Sequence, residues 1–184
     1  MNEQADLILL EIEERMQKAI DSLVREFATI RTGRANPALL DRVTVSYYGV
    51  ETPVKQVGSI AVPESNQLYI KPFDKSILAA IEQAILASPL GLTPQNDGVG
   101  IRLTLPLLTE ERRKQLVKDV EKLSEGGKVA IRNIRRDGND QIKAVVNTED
   151  EEKGYLEDVQ TITDKYIKEA DLQAKIKSDE LLTI

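Results

Sequence analysis

The sequence contains no histidine and no cysteine, and these two absences remove whole classes of chemistry. Without cysteine there are no disulfides and no thiolate metal sites. Without histidine the commonest general base and the commonest metal ligand are missing. Nothing in the chain resembles a nucleophile with a base and an orienting group. We therefore expect a binding protein rather than an enzyme, with no cofactor and no metal ion.

Long apolar runs are missing too. No stretch approaches the roughly 20 apolar residues that a membrane-spanning helix needs, and the acidic N-terminal residues are unlike a signal or transit peptide. We expect a cytoplasmic protein that does not contact a membrane. Of its 184 residues 41% are hydrophobic but only 4% aromatic, and such an aliphatic core favours helices packed along a long seam.

Three segments have the apolar spacing of amphipathic helices. They are residues 5–30, 109–146 and 155–182. The first helix should stop at Thr32-Gly33, and the second should start at Thr109, a good N-cap residue. The second would be about 57 Å long. Together they predict a three-helix bundle made of residues 1–31 and 107–184.

Gly126-Gly127 interrupts the second helical segment, and each glycine costs about 1 kcal/mol relative to alanine inside a helix. The apolar positions nevertheless keep their phase across the pair. We therefore expect one continuous helix. Residues 147–153 are interpreted as an acidic turn between this helix and the third.

Residues 32–106 have a different character, with short β-branched or aromatic runs separated by proline, glycine and asparagine. We expect strands near 43–48, 57–62, 68–71 and 99–105 and a short helix over 76–87. This pattern predicts a small α+β domain inserted into the helical one. The chain crosses between the two near Arg31–Gly33 and near Leu105–Leu107, and such a narrow double connection is typical of a hinge.

Charge is distributed unevenly along the helices. The whole chain has a formal net charge of -6, which by itself argues against binding to nucleic acid. Residues 112–143, however, contain ten basic residues against five acidic ones, a local +5, whereas residues 144–184 have a local -6. One helix is therefore basic and its neighbour acidic.

Five basic residues of the long helix fall within an arc of about 100°, displaced from its apolar side. They are Lys128, Arg132, Arg135, Arg136 and Lys143. We expect them to point outward together, where a planar guanidinium can grip a phosphate with two hydrogen bonds. The alternative is a solvated helix face whose arginines pair with acids of the third helix.

Other candidate sites are weaker. Gly98-Val99-Gly100 lacks the rest of a dinucleotide-binding motif and precedes a strand rather than a helix. The acids at 149–152 lack the pattern of a calcium loop and are interpreted as solvated. Tyr47 and Tyr48 could stack on bases, but adjacent strand residues point to opposite faces, so at least one should belong to the core.

Four motifs in order and register resemble the ribosome recycling factor family. They are Ile30-Arg31-Thr32-Gly33-Arg34-Ala35-Asn36-Pro37, Tyr47-Tyr48-Gly49, Leu108-Thr109-Glu110-Glu111-Arg112-Arg113-Lys114 and Arg132-Asn133-Ile134-Arg135-Arg136-Asp137. The resemblance covers essentially the whole chain. It implies a three-helix bundle and a smaller β/α/β sandwich domain, joined by two strands into an L shape.

The resemblance also implies a function. A factor of this family acts with elongation factor G and its hydrolysis of GTP to split the post-termination ribosome, and hydrolyses nothing itself. Its bundle contacts large-subunit ribosomal RNA, and Arg132, Arg135 and Arg136 stand where the family's RNA-contacting arginines stand. We expect a monomer. The expected hinge residues are Arg31, Thr32, Gly33, Arg34, Leu105, Pro106 and Leu107.

Two alternatives from other classes remain open at this point. One is a helical adaptor whose basic helix face binds an acidic protein surface. The other is an enzyme with its site in the inserted domain, although the lack of histidine and cysteine disfavours it.

Overall fold

The computed structural model describes residues 2–183, which fold as two compact units. Residues 2–31 and Glu110–Thr183 form unit 1, and Thr32–Thr109 form unit 2. The α+β class expected from the sequence, with long helices in one unit and a small antiparallel sheet in the other, is confirmed. Of the described helices, none combines the length and the apolar character that crossing a bilayer requires.

The elements are numbered in chain order. The helices are α1 (Glu3–Ala28), α2 (Val54–Val57), α3 (Leu78–Ala87), α4 (Glu110–Val145) and α5 (Glu149–Leu182). The strands are β1 (Thr44–Tyr47), β2 (Val50–Pro53), β3 (Gly58–Ala61), β4 (Gln67–Pro72), β5 (Gln95–Asn96) and β6 (Ile101–Thr104). Two short 3₁₀ turns lie at Pro37–Leu40 and Lys75–Ile77.

Unit 1 consists of α1, α4 and α5, and each of these helices packs against the other two. The first begins slightly earlier than the sequence predicts because the Asn2 side chain accepts a hydrogen bond of 3.1 Å from the backbone N–H of Ala5. The Asn2 amide also donates to the carbonyl of Val145 at the end of α4, over 2.9 Å. One side chain therefore caps α1 and ties its start to α4.

The long basic helix is continuous through Gly126-Gly127, as expected. Gly127 faces α1, where an added Cβ would lie 3.2 Å from a methyl group of Leu23. Gly126 faces open space, since nothing lies within 4 Å of an added Cβ. The 36 residues of α4 span about 54 Å.

The start of α5 corrects the sequence interpretation. The acids at 149–152 do not form a turn; they are the first turn of the helix, which begins at Glu149 rather than near Tyr155. Thr148 is the N-cap, and its hydroxyl oxygen accepts a hydrogen bond of 3.1 Å from the N–H of Glu151. Because the helix dipole is positive at this end, four carboxylates are stabilised there.

Unit 2 contains a hairpin of β1 and β2 and a four-stranded antiparallel sheet in the order β3-β4-β6-β5. In the hairpin turn Tyr48 and Gly49 both have positive φ, 51° and 78°, which is the backbone of a two-residue type I′ connection. Four of the six strands and α3 were predicted with boundaries shifted by one or two residues. Neither β2 nor β5 was predicted.

One hydrophobic core fills unit 2, with Leu68, Ile70, Ile81, Ile101 and Leu103 wholly inaccessible to solvent. It joins the sheet to α3 and to the hairpin. Leu86 of α3 lies on the outer side of this helix and is 53% exposed. The inner side is set by Leu78, Ile81 and Ile85, and Leu86 is rotated about 100° away from Ile85.

Candidate nucleic-acid interface

The outward side of α4 carries three exposed basic residues, Arg132, Arg136 and Lys143. Opposite them lies a buried row of Ile131, Ile134, Gly138 and Ile142 that packs against the rest of the bundle. Because residues 132, 136 and 143 repeat at helical spacing, their side chains share one side of the rod. We call these three residues the basic face. None of them forms an ion pair with a described residue.

Lys128 does not belong to the basic face, although its helical phase predicts the same outward direction. Its side chain is only 15% exposed and forms an ion pair with Asp171 of α5, with Glu125 a second partner at 3.6 Å. The hydrogen bond from the Lys128 ammonium to Asp171 raises the pKa of the lysine. This charge is neutralised inside unit 1, so the expected outward orientation is wrong for Lys128.

Arg135 is neither fully exposed, like the basic face, nor ion-paired, like Lys128. It is half-buried at the edge of α4 that faces α5, and its Nη1 donates a hydrogen bond of 3.1 Å to Oε1 of Gln160. Its Nε is buried with no hydrogen-bond partner among the described residues. Arg135 therefore lies at the edge of the outward side rather than at its centre, and its neutral amide partner does not neutralise its charge.

The opposite edge of α4 holds an acid away from the basic face. Asp137 forms an ion pair of 3.1 Å with Arg15 of α1. Asp137 precedes Gly138 of the buried row and follows Arg136 of the basic face, so it stands at the boundary between them. With Asp137 turned to α1 and Glu125 near Lys128, two acids of the basic segment have cationic partners of their own.

The other candidates behave as structural elements. The turn at Gly98-Val99-Gly100 is built around Asp97, whose Oδ1 accepts hydrogen bonds from the N–H groups of Val99 and Gly100 at 2.9 and 2.8 Å. Gly100 is tight against Tyr69, since an added Cβ would lie 2.6 Å from its ring. Residues 2–183 contain no group of three or more side chains placed to hold a metal ion.

The expectation that at least one of Tyr47 and Tyr48 belongs to the core is confirmed, although Tyr48 lies in the hairpin turn after β1 rather than in the strand. Tyr47 is half-buried and packs against the core of unit 2, whereas Tyr48 is 85% exposed. Their rings meet edge to face with centroids 4.5 Å apart. Burial raises the pKa of the Tyr47 hydroxyl.

The expected hinge segments meet at Gly33. This residue has φ +77°, and an added Cβ would lie 3.3 Å from the carbonyl oxygen of Pro106. Asn66 holds the second segment with two hydrogen bonds. Its backbone carbonyl accepts from the N–H of Leu105 at 2.7 Å, and its side-chain amide donates to the Leu105 carbonyl at 3.1 Å.

Asn66 and Gln160 were not identified from the sequence. Each acts on a residue distant in the chain, Leu105 or Arg135. A single amide has no periodic signal, so only the fold reveals these contacts.

Comparison with known proteins gives one consistent family. The family model for ribosome recycling factor matches residues 23–182. A ribosome-recycling factor from Acholeplasma laidlawii is 67% identical over 184 residues, with 100% of both chains covered. One from a Geobacillus strain is 55% identical over 175 residues, covering 93% of this chain and 95% of the relative.

Solved structures agree with these relatives. The solution structure of a ribosome recycling factor matches with a TM-score of 0.80 at 41% identity, covering 100% of both chains. A second match, with a TM-score of 0.62 at 42% identity, covers 97% of this chain and 99% of the other. It comes from models of the Thermus thermophilus factor and Escherichia coli elongation factor G bound to the E. coli post-termination complex.

Proposed function

This chain belongs to the ribosome recycling factor family, and we propose that it binds the post-termination ribosome and, with elongation factor G and GTP, splits it into subunits. The resemblance that the four sequence motifs carry is thereby confirmed. A related factor has been placed together with elongation factor G on the post-termination complex, which supports the same partners for this chain. In this proposal the GTPase supplies the hydrolysis, and the chain itself catalyses no reaction.

The proposed contact with the ribosome is the basic face of α4 on large-subunit ribosomal RNA. The observation that carries it is the exposure of Arg132, Arg136 and Lys143 on one side of a 36-residue helix, without ion pairs to described residues. Arginine suits this role because its planar fork can donate two hydrogen bonds to one phosphate. Each phosphate that is neutralised releases counterions, so binding should weaken as salt is raised.

The second part of the proposal is mechanical. Residues Arg31 to Arg34 and Leu105 to Leu107 serve as the hinge through which a push on unit 2 is passed to unit 1. Gly33 supports this role, since its positive φ and its closeness to the Pro106 carbonyl would strain any residue with a side chain at this position. An α4 rod about 54 Å long can then transmit the push to contacts between the ribosomal subunits.

Co-sedimentation tests the proposal directly. The chain, as a monomer, should sediment with vacant or post-termination ribosomes, and adding elongation factor G with GTP should release free subunits. Binding to acidic proteins but not to ribosomes would favour the helical adaptor instead. Subunit release at the same rate without the chain would contradict the splitting function.

A further inference from the structure

Helix α5 holds two basic residues of α4 by different chemistry. Lys128 is held by the carboxylate of Asp171, whereas Arg135 is held by the side-chain amide of Gln160. A carboxylate neutralises the cation that it binds. An amide oxygen accepts the hydrogen bond but carries no charge, so the positive charge of Arg135 stays available to an anion.

The orientation of the Gln160 amide is settled by its two partners. Its Nε2 donates a hydrogen bond of 2.8 Å to Oδ1 of Asp164, one turn further along α5. Arginine can only donate and a carboxylate can only accept, so the reverse orientation of the amide would lose both hydrogen bonds. Asp164 therefore aims the oxygen of Gln160 at the guanidinium of Arg135.

This arrangement differs from the other glutamine–aspartate pairs of the bundle. Gln17 donates to Asp21 at 3.0 Å and Gln115 donates to Asp119 at 3.2 Å, with the same four-residue spacing. Among the described residues only Gln160 also accepts from a basic residue of another helix. The hydrogen-bonded chain from Asp164 through Gln160 to Arg135 is therefore specific to this site.

We propose that Gln160 is a positioning residue for ribosomal RNA binding. Its amide is oriented by Asp164, and it holds the Arg135 guanidinium ready for a phosphate beside the basic face. This inference rests on the proposed function. The Nε of Arg135 is buried and its Nη1 is fixed, so the phosphate is met by the Nη end. Because the Arg135 side chain is already ordered before RNA binds, less conformational entropy is lost when it contacts a phosphate.

The test compares Gln160→Met with Gln17→Met in the full-length protein, with purified large ribosomal subunits as the probe. Methionine keeps the length of the side chain and its helix propensity but removes the amide. Gln17→Met removes the equivalent pair from α1 and serves as the matched control. We expect roughly two- to tenfold weaker binding for Gln160→Met, no change for Gln17→Met, and unchanged thermal unfolding for both.

A double-mutant cycle separates positioning from a structural role. Arg135→Ala alone should weaken binding and lower the slope of log affinity against log salt by roughly 0.7 to 0.9, as for one lost phosphate contact. Gln160→Met should then add nothing in the Arg135→Ala background. Gln160→Glu should weaken binding more than Gln160→Met, because a carboxylate would neutralise the guanidinium.

The outcomes distinguish this inference from the function on which it rests. Normal or tighter binding by Gln160→Met, or an equal loss with and without Arg135, would overturn the positioning role. In either case, weaker binding by the basic-face variants Arg132→Ala and Arg136→Ala would still support the proposed function. If neither those variants nor Arg135→Ala changes the affinity, both proposals fail.

Discussion

Gly138 of α4 lies directly against Ile12 of α1, so closely that a Cβ added to the glycine would overlap Cδ1 of the isoleucine. Both residues are buried, and Ile12 is only 1% exposed. A helical glycine normally weakens its helix. Here its missing side chain makes room for a branched residue of the neighbouring helix, and the two positions should be coupled energetically.

The first prediction compares two glycines of the same helix. Gly126→Ala should stabilise unit 1 by up to about 1 kcal/mol, because the added Cβ meets nothing and alanine favours the helix. Gly138→Ala has the same gain in helix propensity but overpacks the core, which typically costs 1–3 kcal/mol, so it should be less stable than Gly126→Ala by about that amount. Urea unfolding followed by circular dichroism measures both.

The coupling itself can be checked with Ile12→Val, which deletes the overlapping Cδ1 atom. Alone, this change should cost about 0.5–1.5 kcal/mol. In the Gly138→Ala background it should cost clearly less, or stabilise, because the clash is relieved. Strict additivity of the two changes would show that Ile12 moves aside without strain.

The second prediction concerns the basic face. Arg132→Ala and Arg136→Ala should each weaken binding to large ribosomal subunits and lower its salt dependence by roughly one phosphate contact. Arg25→Ala removes an exposed arginine from α1 and is the control, for which we expect unchanged affinity. Equal effects of all three would mean that net charge, rather than this face, governs binding.

The third prediction separates binding from splitting. Gly33→Ala places a side chain at φ +77° beside the Pro106 carbonyl, a strained conformation that costs about 1–2 kcal/mol. We expect normal binding to the large subunit and slower release of subunits with elongation factor G and GTP.

The control for the hinge is Gly91→Ala. Gly91 also has positive φ, +67°, and lies in unit 2, but an added Cβ meets nothing within 4 Å. Gly91→Ala therefore introduces the same backbone strain without a contact to the hinge segment Leu105 to Leu107, and we expect normal splitting of the ribosome into subunits. Loss of binding and splitting together in Gly33→Ala would contradict a separate hinge function.

The fourth prediction concerns pH. Hydrogen bonds from the backbone of Gly100 and Val99, and then from the Tyr69 hydroxyl, hold the pKa of Asp97 below its ordinary value. A pKa lowered by folding means that the charged carboxylate stabilises unit 2 above the unfolded pKa of about 3.9. That contribution is lost as the pH falls through the folded pKa.

Nuclear magnetic resonance titration of the Asp97 carboxyl checks this directly. Tyr69→Phe should move the Asp97 pKa upward, toward the ordinary value, because one donor is removed while the two backbone donors remain. Asp97→Asn should reduce the dependence of unit 2 stability on acid pH. An Asp97 pKa at its ordinary value in the unaltered protein would contradict the hydrogen-bonded turn.

Much of the architecture can be predicted from the sequence because it is local and periodic. Apolar spacing indicates three long helices, and its unbroken phase shows that Gly126-Gly127 does not interrupt α4. The start of α5 at Glu149 was also readable, since Thr148 followed by acids is a helix start signal. Without this cap the same acidic run favours a solvated turn. The family was recognisable from four motifs in register.

The angular position of each basic residue around α4 follows from the sequence, whereas the residue that it contacts depends on how the helices pack. Lys128 and Arg135 fall in the same arc as Arg132, Arg136 and Lys143, but α5 lies along one edge of that arc. Helical phase depends on backbone geometry within one segment. Whether a cation is neutralised by Asp171, held by a neutral Gln160 or left to solvent depends on residues more than twenty positions away, which only packing brings together.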